Sequence, residues 1–234
     1  MKKDGGERCF DMCGRYTTDI ETDEGELFRI LLRAEEETFS PADAASDAAS
    51  DAAIRAYTQP REVFPSEPAA VLTADPRNAS SDLCSGARYL RWGYPSADGK
   101  RLIINARSET AAEKLLFSED LRLRRCIVPT AGFFEWTHTG QRLKYRFNAP
   151  GSGLLWLAGL YRPIAAGEQP PKIPGMTHEF VILTTDANAS MRPVHSRMPV
   201  ILRPEHREEW LYDDASAALL LRETPPELVK KWVG

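Results

Sequence analysis

Cys13 lies in the stretch MCGRYT (residues 12–17) and could carry the chemistry with the strictest positional requirement in the chain. As the first residue of a mature protein it would offer an α-amine and a thiol, whose ordinary pKa values are ~8 and ~8.5. An aldehyde would react with both groups, because the amine condenses to a Schiff base and the thiol adds to the same carbon, closing a thiazolidine. The alternative is a small buried hydrophobic residue near the start of a first strand, the commoner role of a free cysteine.

Glu135 is the candidate for proton transfer. It stands in GFFEW (residues 132–136), where Phe133, Phe134 and Trp136 flank it. Aromatic neighbours withdraw a carboxylate from water, which raises its pKa and suits it to proton transfer near neutrality. The alternative is a glutamate on the solvent face of an alternating strand, and the pattern alone favours that interpretation.

Two further polar residues stand where strands begin or end. His195 precedes a Met-Pro pair that enters a strand, a junction at which functional side chains are often presented, although a structural role is more common for a single histidine. Asn105 ends a strand just before a predicted helix, so an N-cap role competes with orientation of a substrate.

Arg107 and Trp92 suggest contacts to a nucleic acid. Arg107 could bind a phosphate or simply pair with Glu109. Trp92 opens the sequence WGYP (residues 92–95), which is either a turn with buried aromatic side chains or a platform on which a nucleobase stacks.

The elements that must position these residues show mostly strand signals. Short β-branched and aromatic runs alternate with Gly and Pro at residues 69–73, 88–92, 102–104, 125–128, 132–136, 145–147, 154–160, 179–184 and 199–202. Apolar residues at three- and four-residue intervals predict helices at 21–33, 109–117, 204–211 and 215–221. We therefore expect an α+β fold, a β-rich single domain with an antiparallel barrel-like sheet and a few flanking helices.

The composition of the 234 residues, 42% of them hydrophobic, is enough for one sizeable core. The four cysteines, Cys9, Cys13, Cys84 and Cys126, have neither CxxC nor Cys/His ligand spacing, so we expect no disulfide framework, no metal site and no cofactor. No apolar run approaches membrane-spanning length and no leader peptide is recognisable, so we expect a cytoplasmic protein without membrane association.

The net charge of −4 is unevenly distributed along the chain. Residues 1–60 hold 7 basic against 14 acidic side chains, whereas the remaining 174 residues hold 23 against 20. The mildly basic main body removes the objection to nucleic-acid binding that the acidic total raises. The segment PADAASDAASDAA (residues 41–53) has no apolar side chain larger than alanine, and we predict a mobile insertion or a frayed helix there.

A series of short motifs in a fixed order identifies the family that the chain resembles. They are CGRYT (13–17), WGYP (92–95), INARSET (104–110), RRCIVPTAGFFEW (124–136), LAGLY (157–161), TTDAN (184–188) and HSRMPVIL (195–202). With this series the chain resembles the SRAP family, the SOS response-associated peptidases that shield abasic sites in single-stranded DNA. The resemblance extends from residue 12 to about residue 212.

The resemblance implies a β-rich α+β domain with a positively charged DNA groove, a mature protein that starts at the cysteine, and the aldehyde form of an abasic deoxyribose as substrate. Cys13 would form a thiazolidine DNA–protein crosslink. Glu135 would move protons during opening of the sugar ring and formation of the Schiff base. His195 would act as acid or base or hold the ring-opened sugar oxygen, and Asn105 would orient the amine and the adduct.

The resemblance also implies DNA contacts and domain boundaries. Phosphates would be contacted by Arg15, Arg107 and Arg197, and stacking or wedge surfaces would be formed by Trp92 and Trp136. The expected organisation is an extension over residues 1–11 that is removed or not native, a SRAP domain over 12–213 that includes the insertion, and a helical tail over 214–234. At residues 61–66 the chain has REVFPS where many members carry a YNVAP-like stretch, so no DNA contact is assigned there.

Three functional hypotheses follow. The main one is a monomeric DNA-repair protein that covalently caps abasic sites in single-stranded DNA, a lyase-like activity, with its replication partner left open. Because residues before Cys13 make its nitrogen an amide, either Met12 is the true start or the extension is cleaved, in one version by the protein itself. The second hypothesis is a cysteine peptidase or amidohydrolase with Cys13 as nucleophile and His195 or Glu135 as base. The third is a non-catalytic DNA-binding module.

Overall fold

The computed structural model of this chain describes residues 14–19, 24–38, 57–75, 83–138, 140–165 and 176–234. Cys9, Cys13, the predicted extension at 1–11 and the low-complexity segment at 41–53 lie outside these residues.

The described part of the chain is built mainly of short strands. In chain order they are β1 (Arg15–Thr17), β2 (Glu62–Val63), β3 (Pro68–Thr73), β4 (Ala87–Trp92), β5 (Tyr94–Pro95), β6 (Leu102–Ile103), β7 (Asn105–Arg107), β8 (Arg125–Thr130), β9 (Gly132–Trp136), β10 (Lys144–Asn148), β11 (Leu155–Pro163), β12 (His178–Asp186), β13 (Arg197–Pro199), β14 (Ile201–Leu202) and β15 (Val229–Trp232). The α-helices are α1 (Glu24–Thr38), α2 (Ser108–Ala111), α3 (Leu115–Leu123), α4 (Arg207–Tyr212) and α5 (Asp214–Leu220). Three single-turn 3₁₀ helices lie at Leu83–Gly86, Pro150–Ser152 and Pro204–His206.

The larger sheet closes on itself as a five-stranded barrel. Its strands follow the order β12, β4, β3, β8, β11, and β11 pairs again with β12. The pairs are antiparallel except for β12 with β4, and β7 adds a second parallel pairing to β12. Closure leaves these five strands without a free edge between them, which removes the edge-pairing hazard of an open sheet. The predicted β-rich α+β fold with a barrel-like sheet is therefore confirmed.

Alternation along the barrel strands divides the apolar residues between two cores. We call these two clusters of buried residues the inner core and the outer core. In β3, Ala69 and Val71 belong to the inner core, whereas Ala70 and Leu72 belong to the outer core. Because both faces of β3 are buried, its sequence is a continuous apolar run rather than an alternating one. The inner core also contains Trp92 and Phe180, whose rings stack at 6.3 Å.

The outer core is covered by α1. Leu27, Ile30, Leu31 and Ala34, at the spacing that predicted the helix, are each at most 4% exposed. Burial of each leucine or isoleucine contributes about 1.5–3 kcal/mol, so this stripe holds the helix to the barrel. The helix runs about five residues beyond the predicted end at residue 33.

The second sheet carries the strands that approach the candidate site. Its order is β15, β10, β9, β1, β2, and all pairs are antiparallel. Phe133 on β9 and Phe147 on β10 are fully buried and stack at 5.3 Å, which joins this sheet to the inner core of the barrel.

Two helix predictions differ from the structure. The helix predicted at 109–117 is divided into α2 and α3, because Lys114 adopts an extended conformation (φ −83°, ψ 122°) and starts a second helix. No Gly or Pro marks that break in the sequence. The tail predicted to be helical over 214–234 is helical only in α5, because its last residues form β15, which pairs with β10.

Candidate active site

The candidate site is an open pocket where β1, β9 and the hairpin between β9 and β10 meet. Its volume is about 610 Å³. The lining residues are Gly14, Arg15, Glu135, Trp136, Thr137, His138, Gly140, Arg142 and Lys144. Cys13 itself lies outside the described residues, but the pocket begins at the residue that follows it in the chain.

Glu135 supplies the carboxylate of this pocket. Its side chain is buried, with 4% of the residue exposed, on a strand whose first four residues are all buried. Its Oε1 accepts a hydrogen bond from the backbone N–H of Trp136 at 3.1 Å. The expected burial among aromatic neighbours is confirmed, and the alternative of a solvent-facing glutamate is wrong. The solvent face was the wrong expectation because β9 is covered on both sides, with Phe133 and Phe134 also buried.

Arg15 and Trp136 both line the pocket and contact each other. The Cζ of Arg15 lies 5.1 Å from the ring centroid of Trp136 and 4.6 Å from that of Phe64. Its ion pair with Glu62 is long, at 3.7 Å, and its side chain is 39% exposed. A guanidinium held by aromatic rings and a distant carboxylate retains donors for a further anion.

Three basic pocket residues were not identified from the sequence. They are His138, Arg142 and Lys144, all in or next to the β9–β10 hairpin. Arg142 and Lys144 approach the ring of Trp136 at 5.7 and 5.8 Å, and Lys144 also donates to Glu62 at 2.7 Å. The sequence feature that could have identified them is their position in the hairpin after Glu135, because β10 pairs with β9 and brings the hairpin residues back to the pocket.

His195 contacts His138, a residue of the pocket lining. The two imidazole rings are 4.5 Å apart, and His138 lines the pocket. The Nδ1 of His195 accepts the backbone N–H of Arg197 at 2.9 Å, so a neutral ring carries its proton on Nε2. Burial lowers the pKa of His195, and the nearby charge of Arg197 acts in the same direction. Near neutral pH the ring is therefore an uncharged Nε2–H donor.

Asn105 is the first residue of β7, beside Ile182 of β12, and is half-buried. The alternative of a helix cap is wrong, because α2 begins at Ser108 and its N-cap residue is Arg107. Among the described pocket-lining residues Asn105 is absent, so its role toward the substrate stays a prediction.

Trp92 contradicts the expected stacking surface. Its residue exposure is 0%, its Nε1 donates to the carbonyl of Ile104 at 3.1 Å, and its ring packs against Tyr16 and Phe180. No ring face is left for a nucleobase, and the alternative of a turn with buried aromatics describes this residue correctly.

Arg197 is also engaged within the protein, contrary to the expected phosphate contact. Its guanidinium donates to both carboxylate oxygens of Glu109, at 2.6 and 2.8 Å, and to Asp186 at 2.6 Å. Two carboxylates more than balance its charge, which leaves an anion little to gain there. Arg107 is exposed at the end of β7, and its charge is one of the causes that lower the pKa of Glu109.

The described ranges contain no group of three His, Cys, Asp or Glu residues arranged to hold a metal ion. Within the same ranges, no helix combines the length and apolar composition needed to cross a bilayer.

Comparison with known proteins gives the family of the chain. The abasic site processing protein YoaM of Bacillus subtilis is 37% identical over 129 residues, covering 52% of this chain and 55% of that protein. The abasic site processing protein YedK of Escherichia coli is 30% identical over 128 residues, covering 53% and 54%. These alignments thus span about half the length of each relative.

The fold has a counterpart among solved structures. A crystal structure of a Bacteroides thetaiotaomicron protein superposes with a TM-score of 0.68 at 22% identity, over 95% of this chain and 92% of that one. The family model described as SOS response associated peptidase (SRAP) matches residues 12–232. Because that match covers nearly the whole sequence and includes β15, this chain belongs to the SRAP family.

Proposed function

We propose that this chain captures abasic sites in single-stranded DNA as covalent thiazolidine crosslinks through Cys13. One observation carries the proposal: a buried carboxylate, Glu135, stands in a basic pocket that begins at Gly14, the residue after Cys13. The relatives YoaM and YedK are named abasic site processing proteins, which supports this substrate.

The reaction needs the two nucleophiles of an N-terminal cysteine and no external oxidant. The α-amine of Cys13 adds to the aldehyde carbon of the ring-opened deoxyribose and the carbinolamine loses water to give a Schiff base. The thiol then adds across the C=N bond, forming a C–S bond and returning the nitrogen to a secondary amine. The adduct therefore weighs one water less than its two components, and the bond between Met12 and Cys13 must be broken beforehand.

Glu135 of the pocket and two residues outside its described lining, His195 and Asn105, each have a role in this reaction. Glu135 accepts the proton that the amine loses on attack and returns a proton to the departing hydroxyl. His195, as a neutral Nε2–H donor, would hold the oxygen released when the sugar ring opens; its ring lies 4.5 Å from that of His138, which lines the pocket. Asn105 orients the amine and the adduct.

Recognition of an abasic site cannot depend on the edge of the missing base. Backbone charge and neighbouring bases remain, so Arg15 and Arg107 would contact phosphates and Trp136 would stack on an adjacent base. The exposure of Arg107 and of the Arg15 side chain supports these assignments.

Intact mass spectrometry tests the proposal. The chain started at Met12, and so processed to Cys13, is incubated with single-stranded DNA that contains one abasic site. We expect a heat-stable adduct at the summed mass less one water. A Cys13→Ala protein keeps an α-amine, so it should give only an adduct that needs borohydride reduction to survive heating. An unmodified protein with a free Cys13 and no adduct would refute the crosslinking function.

Self-cleavage before Cys13 is a second candidate, favoured by the peptidase description of the family. It is tested by the mass of the chain produced from Met1. Loss of residues 1–12 from the natural sequence but not from the Cys13→Ala protein would support it. Cleavage of an unrelated peptide by protein whose N-terminal amine is blocked would point to a general peptidase instead.

A further inference from the structure

One end of the barrel, far from the candidate site, is lined by polar side chains. Strand β12 runs from His178 to Asp186, and Asp186 pairs with Arg197, two residues after His195. The ring of His195 contacts the pocket residue His138, so the Asp186 end of the barrel is the one beside the pocket. At about 3.3 Å per residue, the nine residues of β12 extend over roughly 26 Å. The His178 end is therefore a separate region of the molecule.

Three strands each direct one polar side chain into the barrel at this end. In β4, Arg88 stands two residues before Leu90 of the inner core. In β11, Tyr161 lies opposite Phe180 of β12 and packs against the inner core, and His178 precedes Phe180 by two residues. Alternate residues of a strand point to the same face, so all three polar side chains face the barrel interior. They are half-buried, and the rings of Tyr161 and His178 are 5.7 Å apart.

Arg88 carries a charge that no described residue neutralises. Within the described ranges it forms no ion pair, and its buried Nε has no hydrogen-bond partner. Other half-buried arginines of the barrel differ in this respect, because Arg91 and Arg162 both bind the buried carboxylate of Glu179. A charge that is partly buried without a counter-ion destabilises the fold, and a bound anion would offset that cost.

Tyr161 and His178 add hydrogen-bond donors beside this guanidinium. Burial raises the pKa of Tyr161, which keeps its hydroxyl protonated. The Nδ1 of His178 lies 2.8 Å from the hydroxyl of Thr177, and a neutral ring that accepts that proton carries its own on Nε2. Burial is the largest cause that lowers the pKa of His178, and the charges of Arg88 and Arg124 lower it further. Because Arg124 is held by two carboxylates, Arg88 is the cation available to a ligand.

We infer that Arg88, Tyr161 and His178 form a binding site for a terminal phosphate group, either inorganic phosphate or a phosphate monoester. The guanidinium fork matches two phosphate oxygens, and the hydroxyl and the ring N–H can donate to a third. A carboxylate or a phosphodiester of the DNA backbone has only two free oxygens and would leave a donor unused. The site goes beyond the proposed function and does not depend on it.

The ring protons of His178 report binding in an NMR titration of the whole chain with inorganic phosphate at constant pH and ionic strength. We expect a saturable shift for the natural sequence. Arg88→Gln should weaken binding at least ~10-fold, because it removes hydrogen bonds between charged groups. Arg222→Gln, which removes an exposed arginine elsewhere, is the matched control and should bind like the natural sequence. Tyr161→Phe removes only the hydroxyl and should weaken binding several-fold.

Thermal unfolding shows whether the variant is folded and gives an independent result. Without phosphate, Arg88→Gln should unfold at the same temperature as the natural sequence or at a higher one, because an unpaired charge is removed. Phosphate should raise the unfolding temperature of the natural sequence and of Arg222→Gln, but not that of Arg88→Gln.

Further titrations identify the ligand. A nucleoside monophosphate that binds more tightly than inorganic phosphate, with the same dependence on Arg88, would assign the site to a phosphate monoester, and weaker or equal binding would assign it to free phosphate. The absence of a saturable His178 shift, or equal binding by Arg88→Gln and Arg222→Gln, would overturn the site. Acetate or single-stranded DNA without a terminal phosphate that shifts His178 as strongly as phosphate would overturn the preference for a terminal phosphate.

Discussion

The imidazole rings of His138 and His195 lie 4.5 Å apart, with their planes inclined by 53°. One ring belongs to the hairpin after β9 and lines the pocket, and the other precedes β13. Together they connect the pocket to the backbone of Arg197, whose N–H fixes the tautomer of His195.

The first prediction concerns the titration of His195. Burial is the largest cause of its lowered pKa, so His138→Ala, which removes a packing neighbour, should move that pKa back toward the ordinary value of ~6.5. A histidine whose folded pKa is lowered favours folding in its neutral form, and that contribution is lost as the pH falls below ~6.5. NMR titration of the ring protons measures the change against the protein with the natural sequence. An unchanged His195 titration would show that His138 does not shield it.

Glu135→Gln is the second prediction and separates proton transfer from packing. The amide has nearly the same shape and can still accept the hydrogen bond from the Trp136 N–H, so the fold should be retained. Loss of a general acid or base costs typically ~10²–10⁴-fold in rate, and we expect crosslink formation on abasic DNA to slow by at least ~10²-fold. The rate is read from denaturing gels over time. Exposed Glu113→Gln is the control, and a Glu135→Gln protein as fast as that control would exclude the proton-transfer role.

Local patterns in the sequence predict much of this fold because the barrel strands are buried and rich in apolar residues. Burial on both faces makes β3 a continuous apolar run, and the stripe from Leu27 to Ala34 marks α1. By contrast, β15 is a strand whose residues VKKW are all exposed. It exists because β10 offers it an edge, and that pairing has no local signature.

Features of the site that depend on neighbours in the chain can be predicted from the sequence, whereas features that depend on tertiary contacts cannot. The aromatic neighbours of Glu135 indicated its burial because they are adjacent in the chain, whereas the strand pattern alone favoured a solvent-facing side chain, which is wrong. Arg197 was misjudged because its partner Glu109 lies 88 residues away and reaches it only in the folded state. His138 was missed for the same reason, since tertiary packing alone brings it to His195.

The third prediction compares Trp92 and Trp136, which the family resemblance both assigned to stacking or wedge surfaces. Trp92→Phe should lower the free energy of unfolding by about 1–3 kcal/mol, because the carbonyl of Ile104 loses its buried donor. Trp136→Ala should cost little stability and weaken binding to single-stranded DNA by about 1–3 kcal/mol, the usual contribution of one stacked base. Urea unfolding and fluorescence anisotropy of labelled single-stranded DNA check the pair. Loss of DNA affinity in a folded Trp92→Phe protein matching that of Trp136→Ala would contradict the assignment.

The fourth prediction is the pH dependence of the Arg197 ion pairs. The hydrogen bond from Arg197 is the largest cause that lowers the pKa of Glu109. A carboxyl whose folded pKa is depressed stabilises the fold above its unfolded pKa of ~4.3, and that stability is lost as the pH falls through the lower folded value. Because Glu109 is 45% exposed, solvent screening limits the effect, and we expect Arg197→Met to cost about 1 kcal/mol at pH ~7. Urea unfolding at pH ~3 should show a smaller difference, and an equal difference at both pH values would rule out the ionised pair as its source.

The fifth prediction asks which arginine neutralises a phosphate. Two carboxylates already surround Arg197, so a folded Arg197→Met protein should bind single-stranded DNA with an unchanged salt dependence. Arg107 is exposed two residues beyond Asn105, and Arg107→Ala should reduce the slope of log K against log salt by about 0.7. The same anisotropy assay, repeated over a series of salt concentrations, measures both variants. The reverse result would mean that DNA displaces Glu109 and Asp186 from Arg197, since a phosphate could contact that guanidinium only after its present hydrogen bonds are broken.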